Sequence, residues 1–162
     1  MNEQPKTKRI KEKLWEYTSL LREIDNQQER LDRMIVTYGQ PPGPDLSGMP
    51  RPQGGASDRV SVAVMRKMEL EEKIKETVAK ERRENRAIEA MIDKLADPDE
   101  RAVIRLRYFD RASWDEVTSA LFGGMADYID RLDTYQRRTY RIHGRALLNL
   151  ADVLERIELR SK

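Results

Sequence analysis

The feature that most constrains this chain is a repeat of spacing near its start. Ile10, Leu14, Tyr17, Leu21, Ile24, Gln28, Leu31, Ile35 and Tyr38 follow one another at alternating intervals of four and three. Such a repeat keeps one side of an α-helix apolar and requires a second helix to cover it, with Gln28 as a single polar layer. The stretch from Gly39 to Ser57 then carries Pro41, Pro42, Pro44, Pro50 and Pro52 among five glycines, which excludes a helix or a central strand there. Beyond it, Ser57 or Asp58 can cap a second helix. Its seam is less regular, through Val60, Val64, Leu70, Ile74, Val78, Ile88, Ile92 and Leu95, with a polar middle from Glu81 to Asn85. Helices of this length reach roughly 50 Å and are not stable alone. The expected arrangement for residues 1–96 is an antiparallel helical hairpin of coiled-coil type, with the Pro/Gly-rich break at 39–57 as its turn. The chain is expected to be all-α.

Composition narrows the function classes. Leu, Ile, Val and Phe total 35 of 162 residues, little apolar material for one large core. Charged residues make up 37% of the chain yet nearly cancel at +2, so an electrostatic partner must be read from where the charges lie. There is no cysteine and a single histidine, His143, which removes thiol chemistry and leaves little for imidazole catalysis or metal ligation. The expectation is no enzyme, no catalytic residues, no metal and no cofactor. No apolar run reaches 18 residues and the polar, basic start lacks the apolar stretch of a secretory signal, so a cytoplasmic protein with no membrane partner is expected.

The second domain is placed at residues 97–162. Asp97 before Pro98, with Glu100 three residues on, reads as a capping box that opens a short helix with Ala102, Val103, Leu106 and Phe109 on one side. Ser113-Trp114-Asp115-Glu116 repeats that signal and starts a helix with Trp114, Val117, Ala120 and Leu121 on one face, ended by Gly123-Gly124. After a polar connection from Phe122 to Asp133, Asp133 or Thr134 can cap a third, longer helix whose buried face is Thr139, Ile142, Ala146, Leu150 and Val153. Its other face carries Gln136, Arg137, Tyr140, Arg141 and Arg145. Between Thr134 and Leu150 there are four arginines and no acid, and from Arg101 to Arg160 there are eleven arginines and no lysine. Guanidinium and carboxamide groups together are the set that reads guanine and adenine edges, while flanking arginines neutralise phosphate. His143, beside the apolar Ile142, is expected to be structural or to contact phosphate.

These residues resemble a known arrangement. Asp99-Glu100-Arg101-Ala102-Val103-Ile104-Arg105-Leu106-Arg107-Tyr108-Phe109, then Ser113 to Val117, then Arg138 to Leu147, are similar to region 4 of bacterial RNA polymerase sigma factors. They are similar in particular to the sigma-region-4-like regulators of phages and prophages, the ArpU-type late-gene family and its relatives. The resemblance implies a helix-turn-helix that binds double-stranded DNA through Gln136, Arg137, Arg138, Tyr140, Arg141 and Arg145, with Trp114, Val117, Leu121, Thr139, Ile142 and Leu147 at core positions. It also implies a transcriptional regulator in a bacterial host cell, encoded by phage or prophage, with bacterial RNA polymerase as a partner. The family's turn between the two motif helices is three or four residues, so the Phe122–Asp133 connection is an insertion against that pattern. A homo-oligomer, with a dimer favoured, is expected from the apolar flank a two-helix hairpin leaves open. Two alternatives are a small-terminase-like packaging subunit, which also joins a helix-turn-helix to an oligomerising hairpin, and a structural coiled-coil adaptor.

Overall fold

A computed structural model of the chain describes residues 5–39, 48 and 55–161. The described residues are all-helical, with no strand among them. The helices are α1 (Pro5–Gly39), α2 (Gly55–Ile92), α3 (Pro98–Ile104), α4 (Trp114–Phe122) and α5 (Leu132–Arg160), and a π-helical turn, Arg105–Phe109, continues α3. None of these helices is long and apolar enough to cross a membrane. Most of the Pro/Gly-rich break expected at 39–57 lies outside the described residues. At its edges, helix persists to Gly39 and resumes at Gly55, ahead of the cap expected at Ser57 or Asp58.

The chain divides into two compact units, one made of Met1–Ser19 with Arg82–Lys162 and the other of Leu20–Glu81. This differs from a division at residue 97. The capping signal at Asp97 starts α3, but the first part of α1 and the last part of α2 belong to the same unit as α3 to α5. Within that unit Ile10, Leu14, Ile88, Ile92, Val103, Ile104, Val117, Ala146 and Leu150 are fully enclosed. Lys6 pairs with Asp152 at 2.5 Å and Arg9 with Glu158, tying the start of α1 to the far part of α5. Thr18 donates to the Tyr108 carbonyl at 3.1 Å, and Asn85 donates to the Tyr17 hydroxyl at 2.8 Å.

In the Leu20–Glu81 unit, Leu20, Leu31, Ala63 and Leu70 are buried, and the α1 residues Arg30, Met34 and Tyr38 share a cleft with Arg66, Leu70 and Lys73 of α2. The buried polar layer is Gln27, one residue before the Gln28 of the sequence pattern. Gln28 faces outward and bonds Asp32, while Ile35 and Tyr38 are exposed. On α2 the positions 63, 67, 70, 74, 77, 81, 84, 88 and 91 turn inward at alternating intervals of four and three, and the buried side widens toward the end of the helix to take in the fully enclosed Ile92. Val60 and Val64 are both exposed, Val60 in register with this repeat but at the open end of the helix and Val64 off it. Lys67, Thr77, Glu81 and Glu84 are half-buried on it, which is why an apolar count missed the regularity.

Candidate nucleic-acid interface

Each helix of the C-terminal part is set by local chemistry. Asp97 caps α3 by accepting the Asp99 N–H at 2.9 Å, but Glu100 does not reach back to close a box. Glu100 is buried instead, where Asn149 of α5 donates to it at 2.8 Å. The π turn is closed by Asp110 N–H on the Arg105 carbonyl at 3.0 Å, an i to i+5 bond. The extra residue rotates the helix surface, so Tyr108 enters the core and Phe109 is left half-buried against Tyr17. Arg111 then adopts φ 56°, a left-handed turn that sends the chain into α4 without a glycine. At α4 both halves of the capping box form: Glu116 N–H to Ser113 Oγ at 3.3 Å and Ser113 N–H to Glu116 Oε2 at 2.6 Å. The Ser113 backbone N–H, then its hydroxyl, hold the Glu116 carboxyl below its usual pKa.

The connection from Gly123 to Arg131 is a run of turns, pinned to α5 by Tyr135 donating to Asp127 at 2.6 Å. That bond lowers the Asp127 pKa and raises the Tyr135 pKa. Helix α5 starts at Leu132, before the expected cap, and Arg131 in the N-cap position supplies no side-chain hydrogen bond. Val103, Val117, Phe122, Tyr135 and Ile142 form the core on which α4 and α5 rest, with Trp114 and Leu121 packed against it. Thr139, Ala146, Leu150 and Val153 are buried, as their spacing implies. Ala120 faces solvent and Thr118 takes its place inside, donating to the Trp114 carbonyl at 2.8 Å.

The six candidate side chains do not behave alike. Arg137 and Arg141 are exposed, and no ion pair engages either among the described residues. Tyr140, 48% exposed, stands edge-on to Trp114 with ring centres 5.0 Å apart. Gln136 donates from Nε2 to Asp115 Oδ1 of α4 at 3.0 Å. A carboxylate only accepts, so the amide nitrogen is fixed toward α4 and the amide oxygen is left outward as an acceptor. Arg138 lies with its guanidinium 4.9 Å over the Phe122 ring and shields the connection. Arg145 is drawn to Asp97 at 3.5 Å and to the buried Glu100 at 3.7 Å. Arg137, Tyr140 and Arg141 are thus exposed on the first turns of α5 with Gln136 half-buried beside them on Asp115, while Arg138 and Arg145, also exposed, are drawn to Phe122 and to Asp97 with Glu100.

Behind that face lies an aromatic and cationic stack that sequence reasoning did not assemble. The Arg107 guanidinium sits 4.9 Å from the Trp114 ring and 5.6 Å from Trp15, and donates to the Ala112 carbonyl at 2.8 Å. His143 meets Trp114 edge-on at 4.9 Å and shares a 3.0 Å hydrogen bond with the Tyr108 hydroxyl. Burial, with Lys11 and Arg107 adding repulsion, pushes the imidazole pKa down to about 4, and burial pushes Tyr108 up to about 12. His143 is therefore neutral at pH 7 and braces Trp114. It is not a cation for phosphate. Trp15 carries no local signal for this role, being far from Arg107 in sequence.

The profile of the family described as a protein of unknown function (DUF1492) matches residues 51–143, more than half of the chain. The chain belongs to the DUF1492 family. The DUF1492 match takes in α2, α3, α4 and the part of α5 that carries Gln136, Arg137, Tyr140 and Arg141. No curated protein and no solved structure matches the chain.

Proposed function

We propose that this DUF1492 protein is a sequence-specific double-stranded DNA-binding transcriptional regulator, with α4 and α5 as the two helices of a sigma-region-4-like helix-turn-helix. In this reading α1 and α2 form an antiparallel hairpin that carries the reader, the genes controlled are those of a phage or prophage in a bacterial cytoplasm, and RNA polymerase is a further partner. The role is recognition without catalysis. One observation carries it: Arg137, Tyr140 and Arg141 are exposed on the first turns of α5, with Gln136 held beside them by Asp115, while the opposite face of that helix is locked into a core. The N-terminal turns of the second helix are those that reach base edges in helix-turn-helix proteins. Two exposed guanidiniums, a phenol braced by Trp114 and an amide with its oxygen outward supply donors for guanine and an acceptor for the amino group of adenine or cytosine.

The test is selection of a preferred duplex from random sequence, followed by binding measured against salt on that site and on random DNA. Arg137→Ala and Arg141→Ala should each cost about 1–3 kcal/mol on the preferred site and little on random DNA. Arg145→Ala should leave the salt slope unchanged, because Asp97 and Glu100 already hold that charge. Failure of the full chain to bind any duplex refutes the reading. Equal losses on both DNAs for Arg137→Ala and Arg141→Ala would reduce the face to a non-specific cationic surface.

A further inference from the structure

A cleft of about 140 Å³ opens where the turn after α2 lies against the last part of α5. Val153 is buried at its base and Ile157 is half-buried beside it, while Lys94, Arg156 and Arg160 stand exposed around it. At about 3.6 residues per turn, Val153, Arg156, Ile157 and Arg160 span about 100° of α5 and so share one face. All five residues belong to the same compact unit.

Neighbouring carboxylates do not neutralise this rim. On α5, Asp152 pairs with Lys6 and Glu158 with Arg9 of α1, and Glu155 adds its charge beside both cations. At the end of α2, Glu89 and Asp93 are both taken by Arg105. The helix ends do not use the rim either: Ser161 donates to the Ile157 and Glu158 carbonyls, and Arg101 donates to those of Leu95 and Ala96. Among the described residues the side chains of Lys94, Arg156 and Arg160 make no hydrogen bond or ion pair. Three uncompensated cations around an apolar base make the cleft complementary to a ligand that is both acidic and apolar.

We infer that this cleft docks an acidic segment of a partner protein, which sets one aromatic or aliphatic side chain onto Val153 and Ile157 and its carboxylates against Lys94, Arg156 and Arg160. The space suits that occupant, since a cavity of about 150 Å³ accepts a benzene ring. Duplex DNA fits it poorly. Arg156 lies fifteen positions beyond Arg141, about 22 Å along the helix axis, which exceeds the major groove's width of about 12 Å. A duplex held at the first turns of α5 therefore does not reach the cleft, and phosphates carry nothing to cover Val153 and Ile157.

Fluorescence anisotropy of a short labelled peptide, with aspartates and glutamates around one phenylalanine, tests this on the full chain. The signal should rise to saturation, weaken as salt is added, and require about tenfold more protein when serine replaces the phenylalanine. Arg156→Glu with Arg160→Glu should lower affinity about tenfold or more, and Lys94→Glu, on a different element, should lower it as well. All three side chains face solvent, so the far-ultraviolet circular dichroism should not change. Arg137→Glu with Arg141→Glu alters the charge equally on the first turns of α5 and should leave peptide affinity within about twofold. Absence of saturable binding, indifference to the phenylalanine, retained affinity in the cleft variants, or an equal loss in the distant pair overturns the proposal. Displacement of the peptide by random duplex DNA from the Arg137→Glu, Arg141→Glu chain would assign the cleft to phosphates and overturn it too. The peptide assay needs no DNA binding, so its failure leaves the helix-turn-helix reading standing.

Discussion

Between pH 7 and pH 5 acid should destabilise this protein chiefly through His143. In the folded chain His143 is enclosed by Tyr108 and Trp114, and burial with the nearby Lys11 and Arg107 holds its pKa at about 4. In the unfolded chain the imidazole titrates near its ordinary value of 6.5. Between these values the unfolded state binds a proton that the folded state refuses. The stabilisation is therefore fully present above pH 6.5, falls as the pH drops through that window, and is gone below about pH 4. At about 1.4 kcal/mol per pH unit the gap amounts to about 3 kcal/mol, of which about 2 kcal/mol is lost between pH 7 and pH 5. The assay is urea unfolding at both pH values, followed by tryptophan fluorescence, for the wild type and His143→Gln. The glutamine can still accept from Tyr108 but does not titrate, and the carboxylates common to both proteins cancel in the comparison. The wild type should lose about 2 kcal/mol more than the variant on going to pH 5. Equal losses would show that the imidazole protonates freely in the folded protein, and the packing of His143 as a neutral brace would then be wrong.

Two further outcomes follow from the packing. Trp114→Ala removes a half-buried ring that meets Tyr140, His143 and Arg107, and should cost about 2–3 kcal/mol in urea unfolding, below the value for a fully enclosed tryptophan; an unchanged midpoint would place the ring on a free surface. A fragment of residues 97–162 omits Ile10, Leu14, Ile88 and Ile92, all fully enclosed in the same unit, and should show a broad, weakly cooperative thermal transition by circular dichroism, whereas a sharp native-like transition would mean that α3 to α5 form a self-sufficient domain.

Much of the candidate face was legible because it depends on spacing within one helix. Gln136, Arg137, Tyr140 and Arg141 share a side of α5 by the 3.6-residue period alone, and the buried residues opposite them follow from the same count. What the period could not supply was which arginines remain open. Arg138 and Arg145 are separated from the face by their partners, Phe122 in one case and Asp97 with Glu100 in the other, and those meetings depend on how the connection after α4 and the start of α3 lie against α5. The π turn was equally hidden: the i to i+5 pattern that ends on the Arg105 carbonyl exchanges Phe109 for Tyr108 in the core, and the sequence around Arg105 contains no residue that demands it.

Sequence by itself determined which stretches are helical and some of their ends, because caps, breakers and apolar periods act over one or two turns: Ser113 with Glu116, Gly123 after Phe122, the four-three spacing of Ile10, Leu14 and Tyr17; it missed the starts of α2 at Gly55 and of α5 at Leu132. Tertiary structure decided which residues each seam buries, down to Gln27 in place of Gln28, and whether a charge or an imidazole is free. Those properties come from groups such as Arg9 and Glu158, or Trp15 and Arg107, that meet only after the chain has packed. Their energies depend on burial and distance, which a linear pattern does not contain.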